Sequence, residues 1–333
     1  MKVLVTGAGS LLLRGAAEAL AARGDEVVCL QRRPLVGPVP PGLVEVPGDV
    51  RDRDTVLRAA AGCDAIVHGA ARVGVVGRWE DFESVNVGGT LQVLAAARAQ
   101  GIQRVVHVST PSVAHEGASL VGVGAGTAVT GRRGAFYAES KAIAELAALG
   151  AGDPSLAVVA IRPHLVWGPG DTQLVGRIVD RARSGRLALI GTGAALVDTT
   201  YIDNAVDALV AAVDAVRPGA ACSGRAYVIA NGEPRTVREL MQRICESAGV
   251  PFAPKRVPAR VALGVGSIVE RVWPRLRDDE PPITRFIAEQ LGTAHWFDPR
   301  PAAADLGWVP RTTLDEGFER LRAWFSAEGR GAR

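Results

Sequence analysis

The chain has no cysteine in a metal-type or disulfide-type arrangement. Its only four, Cys29, Cys63, Cys222 and Cys245, lie far apart without a Cys-x-x-Cys. That excludes a zinc ribbon and a stapled secreted scaffold, and suits a reducing compartment. The five histidines show no metal-ligand spacing with Asp or Glu. Long apolar runs are missing too. A membrane-spanning helix needs about 20 apolar residues, and the nearest approach, residues 261–269, runs into Glu270 and Arg271. Neither sign of charge dominates: a formal net charge of +3 from scattered Lys and Arg leaves no basic surface for nucleic acid. Repeats and low-complexity linkers are absent. The apolar start after Lys2 is broken by Gly7, Gly9 and Arg14. It reads as strand and helix, not as a secretory leader, and the expected location is cytoplasmic.

What is present is chain enough, 333 residues with 48% hydrophobic and 22% charged, to bury a substantial core in one large domain or two. The first half alternates. Apolar, β-branched runs at 2–6 (KVLVT), 26–30 (EVVCL), 43–46, 65–68 (AIVH), 104–109 (RVVHVS) and 158–162 (VVAIR) read as strands, and 11–23, 55–61, 84–100 and 137–150 as helices. Strands apolar throughout, alternating with helices, predict a parallel sheet covered on both faces. The expected fold class is α/β, a doubly wound, Rossmann-like sheet with ligands at the carboxyl ends of its strands.

The first strand–helix turn, Thr6-Gly7-Ala8-Gly9-Ser10-Leu11-Leu12-Leu13, stands where a dinucleotide's pyrophosphate loop would stand. Three-residue steps from Gly7 reach Ser10 and Leu13 instead of glycines. The Ser10 N–H still suits a phosphate, but Leu13 occupies the position where glycine lets helix and strand close up. Phosphate loop and plain strand–turn–helix both stay open. An NAD site would place a carboxylate at the end of the second strand. This chain has Gln31-Arg32-Arg33, and two guanidiniums suit a 2′-phosphate unless they are a solvated loop pair. Granted the fold, the pair favours NADPH/NADP+. Asp49-Val50 and Ala70-Ala71 follow the next two strands of the nucleotide half, where adenine and the passing cofactor would lie.

Tyr137 and Lys141 are four apart on an expected helix and share a face. A phenol with pKa near ~10 is a poor acid at neutral pH. A nearby ammonium is expected to lower that value and make Tyr137 a usable proton donor and acceptor. The pair suits ketone–alcohol interconversion; by itself the motif fits a solvated helix face better. His68 and His107, inside expected strands, read as core, whereas His115 and His164 sit near strand ends as substrate contacts.

Several segments together resemble the short-chain dehydrogenase/reductase superfamily, extended type, over nearly the whole chain. They are Thr6-Gly7-Ala8-Gly9, Asp49-Val50, Asn86-Val87-Gly88-Gly89-Thr90, Ser109-Thr110-Pro111-Ser112-Val113, the Tyr137/Lys141 motif, and the run from Arg162-Pro163-His164-Leu165 through Val166-Trp167-Gly168-Pro169 to Asp171. Ser109 to Val113, residues 197–204 and Asn231-Gly232-Glu233-Pro234 narrow the likeness to the 3β-hydroxysteroid dehydrogenase-like branch. Within it the pattern is similar to the 2-alkyl-3-oxoalkanoate reductases of bacterial long-chain olefin biosynthesis, through residues 280–286 and 295–298 in particular.

The resemblance implies NADPH-dependent reduction of a long-chain 2-alkyl-3-keto acid to the 2-alkyl-3-hydroxy acid. It implies that Tyr137 protonates the C3 oxygen, that Lys141 tunes it and holds the nicotinamide ribose, and that Pro163 lies beside the nicotinamide. Thr110, with Ser112 competing, would bond the substrate oxygen. Gly7, Gly9, Ser10, Leu11 and Leu12 would lie under the pyrophosphate, and Ser112, His115, His164 and Trp167 near the substrate. Asn86 would cap its helix or order a water next to Lys141. A homodimer through the helices at 84–100 and 137–150, and association with other olefin-pathway enzymes, are further implications. A 3β-hydroxysteroid or sterol-carboxylate dehydrogenase is the rival within the fold. A cofactor-binding scaffold without turnover, motivated by Ser10 and Leu13, is the rival outside it.

After Asp171 the pattern changes: helices at 174–185 and 201–216, a short strand and turn at 187–193, and a strand at 227–230. The expected division is 1–171 plus 201–230 as the NADP-binding Rossmann domain and 172–200 plus 231–330 as a smaller C-terminal substrate-binding lid. Within the lid, residues 258–273 and Trp296-Phe297 are expected to line an acyl-chain channel.

Overall fold

The computed structural model describes residues 1–74, 77–115, 117–131, 135–276 and 285–331, so residues 280–284 of the C-terminal resemblance lie outside them. The apolar runs form β1 (Lys2–Thr6), β2 (Glu26–Gln31), β3 (Leu43–Pro47), β4 (Ala65–His68) and β5 (Arg104–Val108). With Ala157–Pro163 and Ala226–Ile229 they make one seven-stranded sheet in the order Ala226–Ile229, Ala157–Pro163, β5, β4, β1, β2, β3, parallel throughout. Successive side chains point to opposite faces. Val3, Val5, Val67 and Val106 therefore join one core with Leu20 and Leu209, while Leu4, Ile66, Val105 and Val158 join the other with Val56 and Leu94. Fully burying such a side chain contributes roughly 1.5–3 kcal/mol, which is why these strands are apolar on both faces. The chain leaves β1 towards β3 and returns across it to β4, so the order switches beside β1. Thr6 pairs with both Leu30 and His68, which sets three strand ends level at that crevice.

A second, four-stranded sheet runs Arg235–Thr236, Leu196–Val197, His295–Phe297, Leu120–Val123. It carries the C-terminal segment up against the chain that leaves β5. A third core with Trp167, Tyr201, Leu240 and Phe318 lies under this half. Ala302, Leu306 and Trp308, which the sequence division groups with the lid, pack into the core of the large sheet. The helix Ala259–Leu276 packs on Arg285–Gly292; its Ala262 is buried with Ile190 and Ala288, whereas Val261 and Val265 are exposed.

The first turn closes up without a glycine at position 13. Leu13, on helix α1 (Leu11–Ala22), is buried, and a Cβ built on Gly69 would come within 2.7 Å of its side chain. The close approach that glycine gives at position 13 is supplied here from the facing residue, Gly69. Ser10 caps α1, its Oγ accepting the Leu13 N–H at 3.3 Å, and such caps contribute about 1 kcal/mol. Leu13→Gly is therefore expected to open a void over Gly69 and lower unfolding free energy by about 3–5 kcal/mol in chemical denaturation. Cofactor binding should not tighten; a stable variant with tighter binding would contradict this packing.

Candidate active site

Gly7 adopts φ +82°, and a Cβ there would lie 2.8 Å from the Ala70 backbone, so only glycine fits. The turn delivers the start of α1, where the Leu11 and Leu12 N–H groups lie in a first turn that has no intrahelical acceptors. Leu11 is exposed and Leu12 half-buried. At the end of β2 the Gln31 amide donates to Glu45 Oε2 at 3.0 Å. A carboxylate only accepts, so this bond orients the amide. Gln31 Oε1 is then buried without a hydrogen-bond partner, 3.7 Å from the Cβ position of Gly9. An orphaned acceptor facing a glycine turn at a helix N-terminus fits a dinucleotide, whose ribose brings hydroxyl donors. Arg32 and Arg33 are exposed beside it. Arg14 pins the loop that follows, through the carbonyls of Val36 (2.7 Å) and Pro38 (2.8 Å). Asp49 holds Arg51 through both oxygens, which keeps its carboxyl below the usual range. Val50 is buried against Gly89. Ala70 donates its N–H to Thr6 Oγ1 at 3.2 Å, and Ala71 is half-buried next to it.

Across the crevice, the helix Phe136–Gly150 carries Tyr137 and Lys141. The buried Lys141 ammonium donates to the Val108 carbonyl at 2.6 Å; burial pushes its pKa down to about 8, against the pull of Glu145. Tyr137 moves opposite to expectation. Burial pushes the phenol up to about 12, and the group opposing that rise is the Thr110 hydroxyl, not Lys141. Thr110 Oγ1 also donates to Ser112 Oγ at 3.1 Å. Pro163, half-buried, ends the neighbouring strand.

Asn86 neither caps a helix nor stands free for water. The helix expected at 84–100 starts as Trp79–Phe82, passes through a π-helical turn, Glu83–Gly88, and resumes as Gly89–Ala99. In that turn Asn86 Oδ1 accepts the Arg72 N–H (2.7 Å) and Nδ2 donates to the Arg72 carbonyl (3.1 Å) and to Ser140 Oγ (2.9 Å). Such turns frequently mark functional sites. The Thr90 hydroxyl gives its hydrogen to the Asn86 carbonyl (2.6 Å), so His68 Nε2–H donates to Thr90 (3.0 Å) and Nδ1 accepts from Thr6 (2.7 Å). His68 is thus a neutral bridge between the end of β1 and the helix Gly89–Ala99, held down to about 3 by burial and the Lys141 charge. His107 is buried beside it, ring centroids 5.5 Å apart, its pKa well below the ordinary value for the same two reasons. Below the helix, Glu145 and Arg162, each 1% exposed, form a bidentate pair at 2.5 and 2.8 Å.

Pro111, Ser112, His115, Leu120, His164, His295 and Phe297 enclose a small cavity of about 10 Å³. His115 and His295 meet edge to face at 4.8 Å, and His164 lies 6.0 Å from His295 and 5.1 Å from Phe297. The residue after His164, Leu165, has φ +41°, an uncommon conformation for a branched side chain and a mark of local strain. Ser112, His115 and His164 are thus together, as the sequence suggested. His295 was not foreseen, since nothing local distinguishes it from any strand histidine. Trp167 is a correction: fully buried, it stacks on Phe318 at 4.5 Å, meets Tyr201 at 5.5 Å and donates Nε1–H to Thr199 at 2.9 Å. It is a core residue outside the cavity. Among the described residues no group of His, Cys, Asp or Glu is placed to hold a metal ion, and no helix is long and apolar enough to cross a membrane.

A crevice of this kind can move a hydride at one carbon and a proton at the oxygen attached to it. Its class is therefore that of the nicotinamide-dependent oxidoreductases acting on keto and hydroxyl groups. The chain belongs to the 3-beta hydroxysteroid dehydrogenase/isomerase family, whose model matches residues 43–258. It is 47% identical over 326 residues, 97% of this chain and 99% of the relative, to a 2-alkyl-3-oxoalkanoate reductase of Stenotrophomonas maltophilia (strain K279a). It is 38% identical, over 96% of this chain and 85% of the relative, to the reductase of that name from Shewanella oneidensis. Among solved structures it resembles MoeE5 in complex with UDP-glucose and NAD, with TM-score 0.74 and 25% identity over 98% of this chain and 99% of that one.

The lysine makes one prediction. Its folded pKa, about 8, lies below the ordinary 10.5. Between those values the unfolded chain holds more protons, so the Lys141 contribution to stability rises with pH. In urea unfolding, the wild type should gain stability relative to Lys141→Met on going from about pH 8 to about pH 10. An unchanged difference would mean that the lysine titrates normally.

Proposed function

We propose that the protein reduces long-chain 2-alkyl-3-oxoalkanoic acids to 2-alkyl-3-hydroxyalkanoic acids with NADPH, in long-chain olefin biosynthesis. The observation that carries the reading is the Tyr137 phenol set by the Thr110 hydroxyl, which opposes the rise of its pKa, with Lys141 buried one turn behind. The substrate class is supported by the names of the two reductases similar along nearly the whole chain. The cofactor supplies the hydride. Gly7, Gly9, Ser10 and the Leu11 and Leu12 N–H groups take the pyrophosphate, Arg32 and Arg33 the 2′-phosphate, and Gln31 Oε1 accepts a ribose hydroxyl. Asp49, Val50, Ala70 and Ala71 border the adenosine half and Pro163 the nicotinamide. Thr110 positions the substrate oxygen, and Tyr137 gives it a proton that Lys141 helps to replace. With its pKa pushed up to about 12, the resting phenol is protonated, the form that reduction requires. Arg32 and Arg33 lean against the oxidising sterol rival, because NADPH normally serves reduction in cells. The fitted Leu13–Gly69 contact argues against an impaired phosphate turn and so against a scaffold. Homodimerisation fits the exposed Leu91 and Leu146 on the helices Gly89–Ala99 and Phe136–Gly150. Association with other enzymes of the pathway, in the cytoplasm, completes the reading.

The test is NADPH oxidation by a 2-alkyl-3-keto acid, run beside 3β-hydroxysteroid oxidation with either cofactor. Steroid turnover without keto-acid turnover would overturn the proposal. Tyr137→Phe should abolish turnover while NADPH binding, followed by its fluorescence, is kept. Replacing both Arg32 and Arg33 by Ala should lower kcat/KM with NADPH by at least about tenfold, given the strength of charge-assisted bonds. With NADH it should change little, and an equal loss with both cofactors would place the arginines away from the 2′-phosphate.

A further inference from the structure

The cavity beside Ser112 holds a pattern of lone pairs that the proposed reaction does not use. His164 Nδ1 lies 2.6 Å from the Asp198 carbonyl. A carbonyl only accepts, so Nδ1 carries the hydrogen and Nε2 the lone pair. The Thr293 hydroxyl gives its hydrogen to the Glu289 carbonyl at 2.6 Å, so Thr293 Oγ1 must accept from His295 Nε2–H at 3.0 Å. That leaves the lone pair on His295 Nδ1, which is buried and has no hydrogen-bond partner. Two neutral imidazoles of residues that line one cavity thus each keep a lone pair, and the one on His295 Nδ1 is buried without a hydrogen-bond partner. The space, about 10 Å³, admits one water-sized group such as a carboxylate oxygen.

We propose that this cavity is a carboxylate subsite, in which His164 and His295 receive the acid group of the substrate and take up a proton as it binds. The assignment rests on the reading of the substrate as a 3-oxo acid. In such an acid one carbon separates the carboxyl carbon from the reacting carbonyl carbon. The acid group must therefore lie within a few ångströms of the phenol's oxygen partner. The cavity meets that need: Ser112 in its wall is hydrogen-bonded to Thr110, the hydroxyl that acts on the Tyr137 phenol. Among the described residues, Lys141 is engaged on the Val108 carbonyl and Arg162 on Glu145. An imidazole that takes up a proton adds positive charge and turns its lone pair into a donor. The Asp198 carboxyl, pushed up to about 7 by burial, is turned to the N–H groups of Gly232 and Glu233. Asp298 is paired with Arg300. Among the described residues, further titratable groups on the packed elements include His115, Glu233 and Glu289. Without ligand, burial holds His164 at about 4 and His295 at about 3. The empty subsite is therefore neutral at pH 7, and the proton arrives with the anion.

The sign follows. Where the free site is neutral and the bound site protonated, affinity for the acid falls with rising pH, by up to about tenfold per unit. A neutral ester shows no such slope. The test compares 2-hexyl-3-oxodecanoate with its methyl ester across the neutral range, in the wild type and in His164→Asn and His295→Gln. These variants keep a donor for Asp198 and for Thr293 respectively while losing the titratable ring. The wild type should show a KM for the acid that rises with pH and a flat KM for the ester. Each variant should raise the acid KM about tenfold with kcat little changed, as for one lost charge-assisted bond, and lose the slope. Calorimetry of 2-hexyl-3-hydroxydecanoate in two buffers of different ionisation enthalpy should show uptake of about one proton, absent in the variants. Turnover of the acid without proton uptake, or variants that keep both slope and acid preference, would overturn the subsite and leave the reductase reading standing. Binding of the hydroxy acid with proton uptake, but no turnover of the keto acid, would support the subsite and overturn the reaction.

Discussion

Arg162 is a permanent charge with 1% of its side chain exposed, and the rest of the site hangs from the way that charge is satisfied. Removing an ion from water costs several kcal/mol, offset only when geometry and hydrogen bonding are complete. Here the guanidinium fork takes both oxygens of Glu145 and donates to the carbonyls of Ala125 and Gly126. Each bond ties down a different part. Glu145 belongs to the helix of Tyr137 and Lys141, so the pair fixes how that helix lies on the sheet. Ala125 and Gly126 follow the strand Leu120–Val123, which brings Leu120 to the cavity wall. Arg162 itself lies on the strand whose continuation presents Pro163 and His164. One buried cation thus sets the relative positions of the phenol, the ammonium and the imidazoles. Glu145 stands one turn from Lys141 and raises its pKa against burial, so the anchoring carboxylate also acts on the chemistry.

The large sheet was legible because each of its strands is an apolar run long enough to announce itself, and because a parallel sheet buries both faces. The small sheet was not. Arg235–Thr236 and Leu196–Val197 are two residues long, and nothing local separates them from loop. Their pairing is decided by what the fold places alongside. Asn86 was read as a cap or a water ligand because sequence shows helix periodicity but not a π-helical turn, whose extra residue depends on the Arg72 backbone lying opposite. Leu13 looked like a defect because its compensation, Gly69, is more than fifty residues away on another strand end. Trp167 drew notice as an aromatic in a motif, yet its motif neighbours only start the turn that carries it into the core.

Spacing singled out Tyr137 and Lys141 and the family resemblance Thr110, and the structure sets the Thr110 hydroxyl where it acts on the phenol. What sequence could not give was the sign of the phenol's shift. Four residues on a helix set which face two groups share, but not where the ammonium's hydrogens go. Here they go to the Val108 carbonyl, so desolvation acts on the phenol with only Thr110 opposing it.

The same cause, burial, runs through the phenol, the ammonium and three histidines of the crevice. It moves Tyr137 up and Lys141, His68, His164 and His295 down, in each case towards the neutral form. The histidines of a site assembled this way are uncharged at rest. Its charges come in with its ligands: phosphates at the start of α1, and an acid group among imidazoles that are neutral only while no anion faces them. Charge brought into a dry crevice is felt more strongly than in water. The crevice is therefore set to tell a charged substrate from its neutral analogue by the proton that the charged one draws in.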